Sequence, residues 1–283
     1  MESHPPDYSH RFHAGNIGDV WKHCILVATL RAVSLGGGVV YLDTHAGEGT
    51  YALGGTGEWS EGIGRLRTEA APDDTAVGAY LAMVRSLVPD TAEGLRQYPG
   101  SPAFAAATLG PSARLDCWER DDHTVRLLTV ALRGDTRVHV YHGDGLAGLP
   151  AALDARTDRP DETVVLIDPP YSTKAEWLAV PDALIAAVAR RPAARFLLWY
   201  PVKSLTRPNA LLARLEAAGV GGTTAELITT PLELQRNRLN GSGVVLINPA
   251  VGVLSAIAAA APVLGPRCAT QRGAWSMRMR TWA

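Results

Sequence analysis

Two periodicities divide the chain. Short apolar runs close at Val39–Asp43, Arg114–Trp118, Arg137–Tyr141, Val164–Ile167 and Arg195–Trp199, and each is short enough for a strand buried in a sheet. Between them, apolar residues recur every three or four positions. Residues 17–33 place Val20, Ile25, Leu26, Thr29 and Leu30 on or near one helix face, with Asn16 as N-cap, Asp19 in the first turn and glycines 36–38 as the stop. Residues 74–88, 120–132, 178–189 and 205–218 read as helices in the same way, and Ser101 suits the cap of a helix over 102–109. Tyr200-Pro201 should stop the strand before them. Thr157–Glu162 reads as a Pro/Asp-rich loop. Thr223–Thr229 and Val244–Asn248 look like a closing antiparallel pair. Strands alternating with helices predict an α/β fold with a doubly wound, mostly parallel sheet. Residues 51–110 break the alternation. They are expected to form a small helical insertion in a main domain made of 1–50 and 111–283.

The run Val164-Val165-Leu166-Ile167 ends in Asp168-Pro169-Pro170-Tyr171. Two prolines cannot continue a hydrogen-bonded ladder, so an acid and an aromatic ring are left at a strand's carboxyl end, where open α/β sheets bind ligands. The tetrapeptide resembles motif IV of the S-adenosylmethionine-dependent amino methyltransferases. The chemistry suits it. A carboxylate at Asp168, helped by the Pro169 carbonyl, can accept the N–H of an exocyclic amine and aim its lone pair. Tyr171 offers a π-face to a base taken out of its stack.

Other strand ends carry acids too: Asp43, Glu119 and Asp144. S-adenosylmethionine needs such a set. Glu119 can take both ribose hydroxyls and Asp144 can read the adenine amino group. Lys22, His23 and backbone N–H groups are candidates for the methionine carboxylate. The loop Thr44-His45-Ala46-Gly47-Glu48-Gly49 after the first strand lets a cofactor approach the backbone, with His45 as a contact. Its third glycine is misplaced for a dinucleotide fingerprint, which argues against a nicotinamide oxidoreductase. No His or Cys cluster has metal spacing, so no metal is expected.

Composition changes the picture only modestly. Net charge is −1, and the three cysteines match no zinc or redox spacing. The opening residues lack the apolar core of a signal peptide, and Val251–Leu264 is too short and alanine-rich to span a bilayer, so a cytoplasmic, membrane-free protein is expected. Charge is unevenly spread. Between Asp182 and Glu216 lie six basic residues and no acid, and six arginines follow Glu233 with no acid among them, so the C-terminal half can present a positive face.

Several blocks, in order from end to end, then carry a closer resemblance. They are Tyr8-Ser9-His10-Arg11-Phe12-His13-Ala14-Gly15-Asn16 with Asp19, Val20, Lys22 and His23; Tyr41-Leu42-Asp43-Thr44-His45-Ala46-Gly47; Tyr98-Pro99-Gly100-Ser101-Pro102; Asp168 to Tyr171; Leu198-Trp199-Tyr200-Pro201; and Ser242-Gly243 with Val245, Ile247, Asn248 and Pro249. Together they resemble the RlmJ-type 23S ribosomal RNA adenine-N6 methyltransferases. The resemblance implies a Rossmann-like fold, S-adenosylmethionine as donor, and N6 of adenine 2030 in 23S ribosomal RNA, free or partly assembled, as acceptor of a monomeric enzyme. It implies cofactor contacts from Lys22, His23, His45, Ser101, Glu119, Asp144, Gly145 and Asp168, with Asp168 catalytic. It also implies an RNA contact from Tyr8. Glu48 between the loop glycines and the alanine-rich C-terminal part depart from the family pattern. Another RNA or DNA adenine, a protein amide, or non-catalytic RNA binding on the same fold are the alternatives.

Overall fold

The computed structural model describes residues 10–35, 37–89, 94–155, 162–234 and 239–283. The loop expected at 157–162 therefore falls almost wholly outside the described residues, as does Tyr8. In chain order the elements are α1 (His10–His13), α2 (Ile17–Ser34), β1 (Val40–Asp43), β2 (Thr50–Ala52), α3 (Ala76–Leu87), β3 (Gln97–Pro99), α4 (Ser101–Thr108), β4 (Arg114–Glu119), α5 (Asp122–Ala131), β5 (Val138–His142), α6 (Gly145–Asp154), β6 (Thr163–Ile167), α7 (Glu176–Arg190), β7 (Arg195–Val202), α8 (Thr206–Ala217), β8 (Gly222–Ile228), β9 (Gly241–Ile247), α9 (Val253–Cys268) and β10 (Ser276–Trp282).

Eight strands form one sheet in the order β10-β8-β9-β7-β6-β1-β4-β5. The pairs β5–β4, β4–β1, β1–β6 and β6–β7 are parallel; β7–β9, β9–β8 and β8–β10 are antiparallel. The chain leaves β1 for β4 on one side and returns to β6 on the other. That reversal opens a crevice at the carboxyl ends of β1 and β6. Helix α2 packs against α3, α4 and α9 and against β9, while α7 packs on both α6 and α8. Because α2 lies between the sheet and other helices, it is buried on nearly every side, and its Trp21 indole donates to the Ala225 carbonyl at 3.0 Å. Two of its buried residues, Lys22 and His23, are ionisable and so need partners inside the protein.

The structure departs from expectation in places with clear physical causes. Strand β7 runs through Tyr200-Pro201 to Val202. Its pairing with β6 ends at Leu198, so Pro201 lies where only β9 pairs β7, and an unpaired edge tolerates proline. Helix α4 begins at Ser101 rather than after it. Gly100 is the cap, Pro102 is the second helical residue, and the Ser101 hydroxyl is turned elsewhere. Residues 51–110 contain α3 and α4, two 3-10 turns and the ribbon β2–β3, and Tyr80, Tyr98 and Phe104 from this segment lie in the same hydrophobic core as the sheet. Among the described residues no helix is long and apolar enough to cross a membrane.

Candidate active site

At the end of β6, Asp168 meets α2. The Lys22 ammonium lies 2.5 Å from Asp168 Oδ2 and 2.7 Å from Asp19 Oδ1, one helical turn before it. Asp19 also accepts the Gly15 N–H at 2.8 Å. Burial by itself would discharge Lys22. The two carboxylates outweigh it and raise its pKa, so the ammonium persists at any physiological pH. Burial, the largest single influence on Asp19, pushes its pKa up, but the Lys22 charge, then His23, the Lys22 hydrogen bond and the Gly15 N–H together outweigh it and hold the carboxyl below its ordinary value. The ammonium also sits 5.6 Å from the centre of the Trp199 ring.

The end of β1 is a second cluster. Asp43 is fully buried and accepts from the Tyr41 hydroxyl and the Ser101 hydroxyl, both at 2.7 Å, and from the His45 N–H at 3.2 Å. Burial outweighs these bonds and pushes its pKa up to about 6, with Asp168 adding in the same direction. The loop that follows is held from two sides. Thr44 N–H donates to the Leu166 carbonyl and Ala46 N–H to the Trp118 carbonyl. His45 Nδ1 lies 2.8 Å from the Thr44 hydroxyl. Glu119 accepts from the N–H of Gly47 at 3.1 Å on one oxygen and from that of Asp121 at 2.8 Å on the other. Gly47 has φ 62°, and a side chain there would meet the Tyr51 hydroxyl.

Asp144 caps α6 through Oδ1, which accepts from the N–H of Leu146 and Ala147 at 2.8 and 3.2 Å. Gly145 is needed for contact: a Cβ on it would lie 2.1 Å from the Thr44 carbonyl oxygen. His23 Nδ1 is 2.8 Å from the Tyr98 hydroxyl, itself 2.9 Å from the Tyr80 hydroxyl, and the imidazole packs against Phe104. Burial first, then the Lys22 charge, lower the His23 pKa to about 3, so the ring is neutral.

Beyond Asp168 the wall is aromatic. Pro169 is buried. Tyr171 adopts φ 49°, a left-handed backbone rare for a bulky residue and a local strain of about 1–3 kcal/mol. Its hydroxyl donates to the Trp199 carbonyl at 3.1 Å and its ring packs 4.3 Å from Trp177. The ring is only 8% exposed, so it forms the back of the wall rather than an open stacking platform. Trp199 is pinned by its own N–H to Ser242 Oγ at 2.9 Å.

The crevice thus brings together Lys22, His23, His45, Ser101, Glu119, Gly145 and Asp168, with Asp144 exposed at its rim. The sequence did not reveal Asp19 as a partner of Lys22, nor Tyr80 or Trp177, and it marked Tyr98 only as part of a block with no role. The Asp19/Lys22 spacing of one helical turn was the available signal for the first. Nothing local gives the others a role.

The residues present fit S-adenosylmethionine. Each Glu119 oxygen has used one lone pair and keeps another for a ribose hydroxyl. Asp144 Oδ2 makes no hydrogen bond to the described residues and suits an amino donor. Gly145 marks where backbone meets backbone without a Cβ, and Gly47 where it meets the Tyr51 hydroxyl. Among the described residues no His/Cys/Asp/Glu group could hold a metal ion.

Comparison with known proteins identifies the family. The family model described as "Ribosomal RNA large subunit methyltransferase D, RlmJ" matches residues 37–282. The chain is 34% identical over 253 residues to "Ribosomal RNA large subunit methyltransferase J" of Escherichia coli K12, covering 86% of each. It is 36% identical over 250 residues to the protein of the same name from Haemophilus influenzae, again covering 86% of each. A crystal structure of a Legionella pneumophila protein superimposes with a TM-score of 0.86 at 27% identity, covering 95% of this chain and 98% of that one. This chain belongs to the RlmJ family of ribosomal RNA large subunit methyltransferases.

Proposed function

We propose that this protein transfers a methyl group from S-adenosylmethionine to the exocyclic N6 of an adenine in 23S ribosomal RNA, with adenine 2030 as the target. The observation that carries the reading is Asp168. It stands at the carboxyl end of β6, at the sheet's switch point, between a buried ammonium and an aromatic wall. S-adenosylmethionine, when bound, supplies an electrophilic methyl group.

The chain's own residues position the two partners. Glu119 holds the ribose diol, and Asp144 with the Gly145 N–H reads the cofactor's adenine. His45, Ser101, Lys22 and the neutral His23 surround the methionine end. On the acceptor side, Asp168 and the Pro169 carbonyl accept the two N–H groups of the target amine and turn its lone pair toward the donor. Tyr171 and Trp199 give the base an apolar wall. Tyr8 contacts the RNA. An aryl amine becomes acidic only as its methyl bond forms, so no strong base is required, and most of the catalysis is orientation. The partner is the RNA, free or in an assembly intermediate, met in the cytoplasm by a monomer.

Asp168→Ala tests the reading directly. With labelled donor and unmodified 23S ribosomal RNA, methyl incorporation should fall by roughly 10³-fold, the scale of losing an aimed hydrogen-bonding group. Donor binding by calorimetry should persist. Undiminished incorporation would remove Asp168 from the chemistry.

A further inference from the structure

The C-terminal half is rich in arginine, but five of its described arginines already have acidic partners. Arg190 pairs with Asp154 at 2.6 Å, Arg214 with Asp182 at 2.5 Å, and Arg280 with Glu216 at 2.7 Å. Arg278 lies 3.4 Å from Glu226, and Arg267 is bound to Glu69. An arginine engaged in this way is a poor phosphate ligand, since its present partner must first be given up. Exposed Arg272 has no ion-pair partner among the described residues, and three further cations share that state and lie together. Lys174, Lys203 and Arg207 are exposed, and none has an ion-pair partner among the described residues.

Their placement is not scattered. β6 and β7 are adjacent parallel strands, so the turns that follow them emerge at the same edge of the sheet. Lys174 lies in the turn after Tyr171, and Lys203 lies in the turn after β7. Arg207 is in the first turn of α8 and holds its guanidinium 5.7 Å from the centre of the Trp177 ring, in the first turn of α7. Trp177 in turn backs Tyr171. The nearest acid in the chain, Glu176, is occupied by the Thr173 N–H at 3.1 Å and the Ser172 hydroxyl. Three cations against one carboxylate, a guanidinium over an indole and an exposed Leu178 therefore share the mouth of the acceptor side. That combination suits a strand of nucleic acid, whose phosphates need cations and whose bases need flat apolar faces.

We propose that Lys174, Lys203 and Arg207, with Trp177, form a rim that grips the RNA phosphates flanking the target adenine and delivers the base to Asp168. This assignment rests on the function proposed above.

The test compares two double variants of equal charge. Lys203→Ala/Arg207→Ala removes rim charge. Arg126→Ala/Arg133→Ala removes the same charge from α5 and the turn that follows it, on the far side of β4, where these exposed arginines also lack ion pairs among the described residues. Binding of unmodified, in vitro transcribed 23S ribosomal RNA is titrated across salt concentrations, alongside calorimetric uptake of S-adenosylmethionine. The rim variant should bind RNA about tenfold more weakly, with a salt dependence shallower by roughly 0.7 per lost phosphate contact. It should show a raised KM for RNA with kcat little changed, and unaltered donor uptake. Trp177→Ala should weaken RNA binding without changing the salt slope. Equal RNA affinity and slope in the rim and α5 variants would overturn the rim. If instead the unmodified protein takes up the donor but neither binds nor methylates this RNA, the proposed function itself fails, and the rim with it.

Discussion

The two halves of the sheet's carboxyl edge are built by different means. On the β1–β4–β5 side the acids are held by uncharged donors: Glu119 by two backbone N–H groups, Asp144 by the first amides of α6, Asp43 by two hydroxyls and an amide. That cradle is largely backbone; Gly145 lets two main chains touch, and Gly47 makes room for the Tyr51 hydroxyl. On the β6–β7 side the acid is held by a lysine from a distant helix, and the walls are Tyr171, Trp177 and Trp199. A backbone cradle presents one geometry to one small, invariant molecule. A side-chain wall with a strained tyrosine can be reshaped to suit a larger partner. The first suits a common donor and the second a particular acceptor.

Removing Lys22 should cost most. Lys22→Met leaves Asp19 and Asp168 inside the protein with no cation between them. A stability loss of roughly 3–5 kcal/mol is expected by urea denaturation. A loss near that of a surface pair would show the acceptor side to be wetter than its burial suggests. Next comes Asp43. Its folded pKa of about 6 stands above the ordinary 3.8, so the folded state binds that proton more tightly than the unfolded chain. The stability this gives is fully present below about pH 4 and is lost as pH rises through 6. Relative to Asp43→Asn, the parent protein should gain on the order of 3 kcal/mol between pH 7 and pH 4. The comparison within this pair matters because His23 acts oppositely: its depressed pKa makes stability fall as pH drops from 6.5 toward 3. Parallel pH profiles for the two proteins would mean that Asp43 is solvated.

Smaller still is the cradle's own test. Gly145→Ala drives a methyl into the Thr44 carbonyl, so roughly 1–3 kcal/mol should be lost, together with donor affinity, by calorimetry. Retained donor affinity would separate α6 from the cofactor loop. Arg214→Ala breaks a half-exposed pair with Asp182 and should change stability by less than about 1 kcal/mol. It sets the scale against which the Lys22 result is read.

Much of the cradle was legible in the chain. Buried parallel strands are short apolar runs, and the acids that end them are adjacent in sequence to those runs. Strand β10 was not legible, because Ser276–Trp282 lies mostly exposed at the sheet's edge and alternates without a hydrophobic face. Helices α6 and α9 were hidden by Gly148, Pro150, Pro262 and Pro266 and by long alanine stretches that give no periodicity. On the acceptor side Asp168 and Tyr171 announced themselves, but their surroundings did not. Lys22 reaches Asp168 across 146 residues, and the Tyr171 ring is closed off by a tryptophan that its own sequence neighbourhood does not mark as a wall. The expected positive face was also only partly there, since sequence alone does not show which acids fold back onto which arginines.

The long reach of α2 carries a kinetic consequence. Its Trp21 bonds to Ala225, 204 residues away, and its Lys22 to Asp168, so this early helix finds its permanent neighbours only when the central and antiparallel strands are in place. Pairings that span so much chain are slow to close and tend to be completed late. Substitutions at Lys22 should therefore speed unfolding far more than they slow folding, and the acceptor half of the crevice would be the last part of the molecule to assemble and the first to come apart.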